Sequence, residues 1–255
     1  MNQIGNAAAF QGLHRGDRPL VLYNIWDSGS ASAVAKAGAQ AVATSSWSMA
    51  AAHGYSDGEA MPLAAVEVVV REIVTTVAVP VTVDFEGAYA VDPDEAAANV
   101  ARIIRAGGVG INFEDQMLGG NGVHPTALQC RRIAAIRAVA DALGVALFIN
   151  ARTDLFLQAA DVTQHSTLAT KAAERARAYA QAGASGFFVP GLANEQIIEG
   201  LCAASPIPLN VMANEGSPSA AHLRSLGVQR VSYGPLPYLR CMQHLASRAM
   251  KAIDP

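Results

Sequence analysis

Lysine is scarce in this 255-residue chain: Lys36, Lys171 and Lys251 are the only three, and each falls in a stretch with helical periodicity. No lysine ends an apolar, strand-like run, so a Schiff-base aldolase lacks its nucleophile in the usual place. Cysteine is equally scarce. Cys130, Cys202 and Cys241 lie far apart without CxxC spacing, which argues against a zinc site or a disulfide framework and for a reducing cytoplasm. They sit in helical stretches and read as small core residues. Charged residues make up 15% of the chain, the net charge is -3 and the 18 Lys plus Arg are scattered. No basic stripe is available for a nucleic acid or an anionic membrane, so neither is an expected partner. No apolar run approaches the roughly 20 residues of a membrane-spanning helix. The opening MNQIGNAAAFQGLHRG has no basic residue before its short apolar stretch and does not read as a signal peptide.

What is present is apolar: 51% of residues are hydrophobic and mean hydropathy is +0.23, enough for a complete core. Eight short runs rich in Val, Ile, Leu and Phe recur at 19–26, 41–46, 79–86, 108–115, 145–152, 186–191, 208–214 and 230–235, and they read as buried strands. Alanine-rich helical stretches separate them. The helix endings KAGAQ, RAGGV, ALGVA, QAGAS and SLGVQ each place a glycine before the next strand, as a left-handed C-cap requires. No proline- or serine-rich linker interrupts the series. The pattern predicts a single (β/α)₈ TIM barrel domain over residues 1–255, with residues 1–18 as an extra helix packed on it. A doubly wound open sheet is the alternative, but the first strand is followed by NIWDSGSAS and not by GxGxxG.

In a barrel the C-terminal strand ends form one rim, where chemistry collects. Asp27, Asp57, Asp84, Glu86, Glu114, Asp115, Arg152 and Asp154 all follow or end the first five strand-like runs. Asp27, Asp115 and Asp154 read equally well as helix caps or loop residues. Asp84 and Glu86, two apart in VTVDFE, are expected on one side of a strand at the rim. Carboxylates gathered in a dry mouth repel unless a cation or an arginine neutralises them, and an oxygen-only donor set suits Mg²⁺ or Mn²⁺ better than zinc.

The stretches ATSS, GYSDGE, VDFEGAY, EDQ and NARTD, taken together from about Leu20 to Arg240, resemble the phosphoenolpyruvate mutase/isocitrate lyase superfamily, including 2-methylisocitrate lyase-like and phosphonomutase-like proteins. The resemblance implies Mg²⁺, or Mn²⁺, at Asp84, directly or through water, with Asp57, Glu86 and Glu114 around it. It implies a small 2-oxo or 2-hydroxy carboxylate substrate, its carboxylate received by the Ser45–Ser46 turn near Trp47 and Asp57. Arg152 and Glu114 would serve the chemistry, with Tyr23 or Asn24 and Asn210 lining the site. The reaction expected is cleavage of a C–C bond through a metal-bound enolate. C–P bond chemistry is the alternative, and a non-catalytic 2-oxo acid binder is an alternative of another class. The family's lyases carry KKCGH after the fourth strand and its C–P enzymes carry a loop lysine there, whereas this chain reads EDQMLGGNGVHP. Asn121 and His124 are left as that loop's polar candidates, His124 as acid or base. The resemblance also implies a homodimer or homotetramer in which the C-terminal helix, around Leu239 to Lys251, is exchanged between subunits.

Overall fold

In the computed structural model, which describes residues 2–159 and 161–253, all eight expected strands form. The ends of the expected 1–255 domain, Met1, Asp254 and Pro255, lie outside the described residues. The strands are β1 (Leu20–Leu22), β2 (Val42–Ala43), β3 (Val81–Asp84), β4 (Gly110–Glu114), β5 (Phe148–Arg152), β6 (Gly186–Val189), β7 (Leu209–Met212) and β8 (Arg230–Ser232). Every pair is parallel, and neighbours follow chain order from β2 to β8, with β8 beside β1. A parallel bridge between Ile25 and Thr44 closes the ring. There Ile25 N–H donates to the Ala43 carbonyl at 2.8 Å and Ser45 N–H to the Ile25 carbonyl at 3.0 Å. The order has no switch point, which excludes the doubly wound alternative.

The helices between strands are α2 (Ser28–Lys36), α3 (Ser46–Ala52), α4 (Leu63–Thr76), α5 (Pro93–Arg105), α6 (Thr126–Ala142), α7 (His165–Gln181), α8 (Glu195–Ala204) and α9 (Ala220–Ser225), with α1 (Gln3–Leu13) and α10 (Leu236–Ile253) at the ends. Helix α5 shows how local sequence sets them. The Asp92 carboxylate accepts from the N–H groups of Asp94 and Glu95, Pro93 occupies the first turn, and Arg102 and Arg105 occupy the last. Each choice satisfies an orphan backbone group or opposes the helix dipole. Ala96, Val100, Ile103 and Ile104 give the buried stripe. The helix stops at Gly107, whose φ of 105° is left-handed and where a Cβ would lie 2.5 Å from Val74. The repeated glycine endings therefore have one physical cause. Asp27 is likewise a cap, joined to Ser30 in a capping box at the start of α2.

Two features position the rim. Inside the barrel, Asn112, Asn150, Asn210 and Arg230 form a buried hydrogen-bonded layer: Asn150 donates to Asn112 and Asn210, both at 2.9 Å, and Arg230 donates to Asn112 at 2.9 Å. Beneath that layer α1 covers the opposite end, with Phe10 and His14 packed on Phe148 and Gln3 donating to the Ile104 and Gly108 carbonyls. By contrast, Leu239 through Ile253 of α10 are exposed throughout, Leu245 by 60% and Ile253 by 83%. Among the described residues no helix is long and apolar enough to cross a membrane.

His14 gives this packing a measurable signature. Its ring stacks on Phe148 at 3.8 Å, and Nδ1 donates to the Phe10 carbonyl at 2.9 Å. Burial first, and then the Arg230 charge, lower its pKa to about 3. Above the ordinary histidine value of about 6.5 neither state binds the proton; below it only the unfolded chain does. Stability is therefore expected to fall as pH drops from about 6.5 towards 3, by at most about 1.4 kcal/mol per pH unit from this group. Urea titrations at pH 7.5, 6 and 5 should show the fall in wild type and a flatter profile in His14→Phe. Parallel profiles would remove His14 as the cause.

Candidate active site

At the C-terminal strand ends a cavity of about 210 Å³ opens between a polar wall of Asn24, Ser46, Asp57, Asp84, Asn112 and Arg152 and an apolar wall of Leu157, Phe188, Pro190 and Met212. Trp47 closes one side. Its ring meets Tyr238 edge-on at 5.9 Å, and Tyr238 also meets Trp26 at 5.1 Å. A larger hollow of about 480 Å³ lies alongside, between Glu59, Tyr89 and Arg132 on one flank and residues 116–120 on the other. It contains neither Asp84 nor Arg152, and the smaller cavity is the candidate site.

Asp84 ends β3 and is held on both oxygens. Oδ2 accepts from the Ser46 N–H at 3.0 Å and the Ser46 hydroxyl at 2.9 Å, and Oδ1 from Asn112 at 3.2 Å. The Ser46 donors that the sequence assigns to a substrate carboxylate are thus engaged within the protein, whereas Ser45 lines the cavity and its hydroxyl oxygen accepts from Ser48. Ser46 serves Asp84, and Ser45 caps α3 through the Ser48 N–H. Asp57 sits above, on the exposed loop after α3, where desolvation and the neighbouring Asp84 charge raise its carboxyl.

Glu86 corrects an expectation. It does not continue the strand beside Asp84: β3 ends at Asp84, and Glu86 turns away with φ of 49°. Its Oε1 accepts from the N–H groups of Gly58 and Glu59, both at 3.0 Å. Burial pushes this carboxyl up to about 7 against those N–H groups, and the charges of Asp57 and Asp84 add to the rise.

Glu114 and Arg152 end β4 and β5 side by side. Arg152 is forked onto Asp154, Nε to Oδ1 at 2.6 Å and Nη2 to Oδ2 at 2.8 Å, while Nη1 meets Glu114 Oε2 at 2.9 Å. Of the five guanidinium N–H groups, three are used and two remain. Burial pushes the Glu114 carboxyl up and Arg152 opposes it; burial would lower the Arg152 pKa, and the Glu114 and Asp154 charges reverse that. Asp115 is structural. It is fully buried, with Oδ2 on Arg175 Nη1 at 2.9 Å and on the Tyr179 hydroxyl at 2.7 Å, and Oδ1 on the Asp154 N–H at 3.1 Å.

Four sequence candidates lie elsewhere. Tyr23 points outward, 38% exposed and packed on Tyr233, because the in–out alternation of β1 carries past Leu22 and turns Asn24 inward instead. Asn210 belongs to the same buried layer as Asn112 but, unlike it, does not line the cavity. Asn121 is exposed at the tip of the loop after β4. His124 faces the larger hollow, buried to 7% exposure, with its carbonyl accepting from Arg175. Asn112 and Glu59 were missed, although Glu59 ends the GYSDGE stretch and Asn112 stands two residues before Glu114; Asp154, which read equally well as a cap or a loop residue, is the fork partner of Arg152.

Among the described residues no three His, Cys, Asp or Glu side chains converge closely enough to enclose an ion by themselves. The family model for phosphoenolpyruvate phosphomutase matches residues 10–253, and the chain belongs to that family, an enzyme of the phosphoenolpyruvate mutase/isocitrate lyase superfamily of lyases and mutases. A crystal structure from Burkholderia cenocepacia J2315, provisionally described as a phosphonomutase, superposes with a TM-score of 0.95 at 46% identity, covering 98% of this chain and 100% of that one. The uncharacterized protein Rv1998c of Mycobacterium tuberculosis is 32% identical over 96% of this chain and 89% of its own length. Probable 2-methylisocitrate lyase 2 of Corynebacterium glutamicum is 33% identical over 71% of this chain and 58% of its own length.

The two classes of rim acid should separate on mutation. Asp115→Ala leaves the Arg175 guanidinium buried without its carboxylate and is expected to cost about 3–5 kcal/mol in urea unfolding. Asp84→Ala removes an acid from a crowded cavity wall and is expected to change stability by no more than about 1 kcal/mol. Similar losses in both would mean that Asp84, too, is a structural residue.

Proposed function

We propose that this enzyme is a Mg²⁺-dependent lyase, with Mn²⁺ able to substitute, that cleaves a C–C bond of a small 2-oxo or 2-hydroxy carboxylate through an enolate. The observation that carries the reading is the gathering of Asp57, Asp84, Glu86 and Glu114 around one small cavity with a single guanidinium, Arg152. The donor set fits the ion. It is all oxygen, only Asp57 and Asp84 of the four line the cavity itself, and Mg²⁺ takes one or two carboxylates and keeps several waters. That also accounts for the lack of a closed three-donor cluster. When bound, the ion would act as a Lewis acid on charge that develops at the substrate's 2-oxygen.

The chain's own residues have distinct parts. Asp84 would hold the ion, aimed by Ser46 and Asn112. Arg152, fixed in place by Asp154 and Glu114, offers its two remaining N–H groups to a substrate oxygen. The apolar wall and Trp47 would face the substrate's carbon chain opposite Arg152, and 210 Å³ lies below the roughly 300–1,000 Å³ of larger-ligand sites. C–P chemistry is the second reading, favoured by the description of the 46%-identical relative. Against it, the cavity wall holds no lysine, and Arg152 is its one cation among the described residues.

We also propose a homodimer or homotetramer in which α10 is exchanged with a second copy. The exposed Leu239, Met242, Leu245, Met250 and Ile253 have no cover among the described residues, and a swapped helix would bury them. Sedimentation at micromolar concentration should give a dimer or tetramer; a monomer would exclude the exchange.

Turnover on a panel of 2-oxo acids, 2-hydroxy diacids and phosphonopyruvate, with and without Mg²⁺, tests the reaction. Metal-dependent C–C cleavage is the expected result, and cleavage of phosphonopyruvate alone would select the second reading. On the best substrate, Arg152→Lys should lower kcat by roughly 10²-fold with a smaller change in KM, because lysine cannot keep both the Asp154 fork and a substrate contact. Full kcat in that variant would make Arg152 only a partner of the rim acids.

A further inference from the structure

The loops that carry Asp57 and Glu86 hold each other by an exchange of carboxylates. Glu86 Oε1 accepts from the Gly58 and Glu59 N–H groups at 3.0 Å, and Glu59 Oε1 accepts from the Tyr89 N–H at 2.7 Å. Both loops are strained. Among the described residues, Glu59, Glu86, Ala88 and Tyr89 are the non-glycine residues with left-handed backbone, at φ of 61°, 49°, 62° and 59°. Such a turn persists only where its surroundings over-determine it.

Here they do, through the turn's carbonyls. Arg132 Nη2 donates to the carbonyls of Gly87 and of Ala90, the latter at 2.7 Å, and Asn99 donates to the Ala88 carbonyl at 2.9 Å. Arg132 is itself fixed: it is 1% exposed, its Nη1 donates to Gln129 at 2.6 Å and its guanidinium lies 4.6 Å from the Phe113 ring centre. Gly87 sits close against the latch, since a Cβ there would lie 3.0 Å from the Glu59 carboxylate, tighter than an ordinary contact. Neither Glu59 nor Arg132 lines the 210 Å³ cavity; both face the adjoining hollow, and Glu59 also borders a small void that reaches Asp84 and Glu86. Arg132 reaches the site through the turn.

We propose that Glu59 and Arg132 are positioning residues that latch the Glu86–Tyr89 turn to the Asp57 loop, and that this latch sets the spacing of the two outer acids of the site. The inference rests on the carboxylate-site reading above, but the latch itself can be measured without it.

Hydrogen–deuterium exchange on peptides covering 55–60 and 84–91, with Mg²⁺ calorimetry beside it, tests the latch. Glu59→Ala and Arg132→Met should speed exchange in those two segments roughly tenfold or more while distant segments keep theirs. They should also weaken Mg²⁺ binding by roughly tenfold, as loss of a ligand's support does. Glu59→Gln keeps the acceptor oxygen and should behave as wild type. Adding Ala88→Gly to Arg132→Met should recover much of the protection, because glycine adopts the left-handed turn without strain; a packing role for Arg132 on Phe113 predicts no such recovery. Wild-type exchange in Glu59→Ala, or no recovery on adding Ala88→Gly, would overturn the proposal. Should Arg132→Met fail to fold, the contrast between Glu59→Ala and Glu59→Gln decides alone. If wild type binds no Mg²⁺, the metal reading falls and the exchange data still decide the latch.

Discussion

The rest of the structure depends on how one barrel mouth accommodates more buried acid than it has base. A carboxylate taken out of water costs several kcal/mol unless it is paired or hydrogen-bonded, and here Asp84, Glu86, Glu114, Asp115 and Asp154 end or follow adjacent strands. Three of them are settled by guanidinium groups: Asp154 and Glu114 on Arg152, and Asp115 on Arg175. Asp84 and Glu86 receive only hydrogen bonds from Ser46, Asn112, Gly58 and Glu59. Burial still raises the Glu114 and Asp115 carboxyls against their arginines, and Glu86 and Asp57 are raised with no ion pair among the described residues. A fold that keeps such unpaired acids at a cavity open to small ligands, while it pairs the acids further in, places the excess negative potential where a cation can relieve it.

Much of the frame was legible because barrels repeat. Each βα unit writes the same signals, an apolar run, an alanine-rich amphipathic stretch and a terminal glycine, and Gly38, Gly107, Gly144, Gly183 and Gly227 all take the left-handed conformation that their place in the repeat requires. The site was legible in composition but less so in direction. Asp57, Asp84, Ser46, Trp47 and Arg152 share one cavity, since strand ends on a rim have little choice of side. Glu86 escaped the alternation rule because the strand stops two residues earlier and the backbone reverses. Tyr23 was separable from Asn24 by that same rule, with Leu20 and Leu22 buried and Val21 exposed. Asn210 points inward as alternation requires, and only its absence from the cavity lining, a tertiary property, was hidden. Arg132 and Arg175 were invisible because their partners are 42 to 60 residues away.

The loop after β4 shows how an altered sequence can keep a rim intact. Residues 116–123 close on themselves through an antiparallel Gln116–Val123 bridge, with Met117 and Gln158 both donating to the Gly122 carbonyl. Left-handed Gly119 and Gly122 make that reversal possible. The loop is tied down at its base by the His124 carbonyl on Arg175 and the His124 N–H on the Asp115 carbonyl. His124 therefore acts in the fold through its backbone. Its ring is held towards the larger hollow, where burial and then the charges of Arg132 and Arg175 lower its pKa.

That arrangement constrains the chemistry that the proposed reaction can use. Among the described residues the cavity wall contains no histidine, cysteine or lysine, so none of the groups that most often move protons near neutral pH would face a substrate there. A reaction that needs a stereospecific proton on the carbon next to the broken bond requires such a group within about 3 Å or one water away. A cleavage that leaves a small enolate does not, because water can protonate the carbon once the charge has been stabilised. In the proposed reaction the polar wall would supply that stabilisation: Arg152 is held by Asp154 and Glu114, and Asp84 is aimed by three donors. Such preorganised charge acts on the bond-breaking step without reorganising during it. The residues of this mouth are thus consistent with the proposed cleavage if bond breaking is assisted electrostatically and protonation is left to solvent.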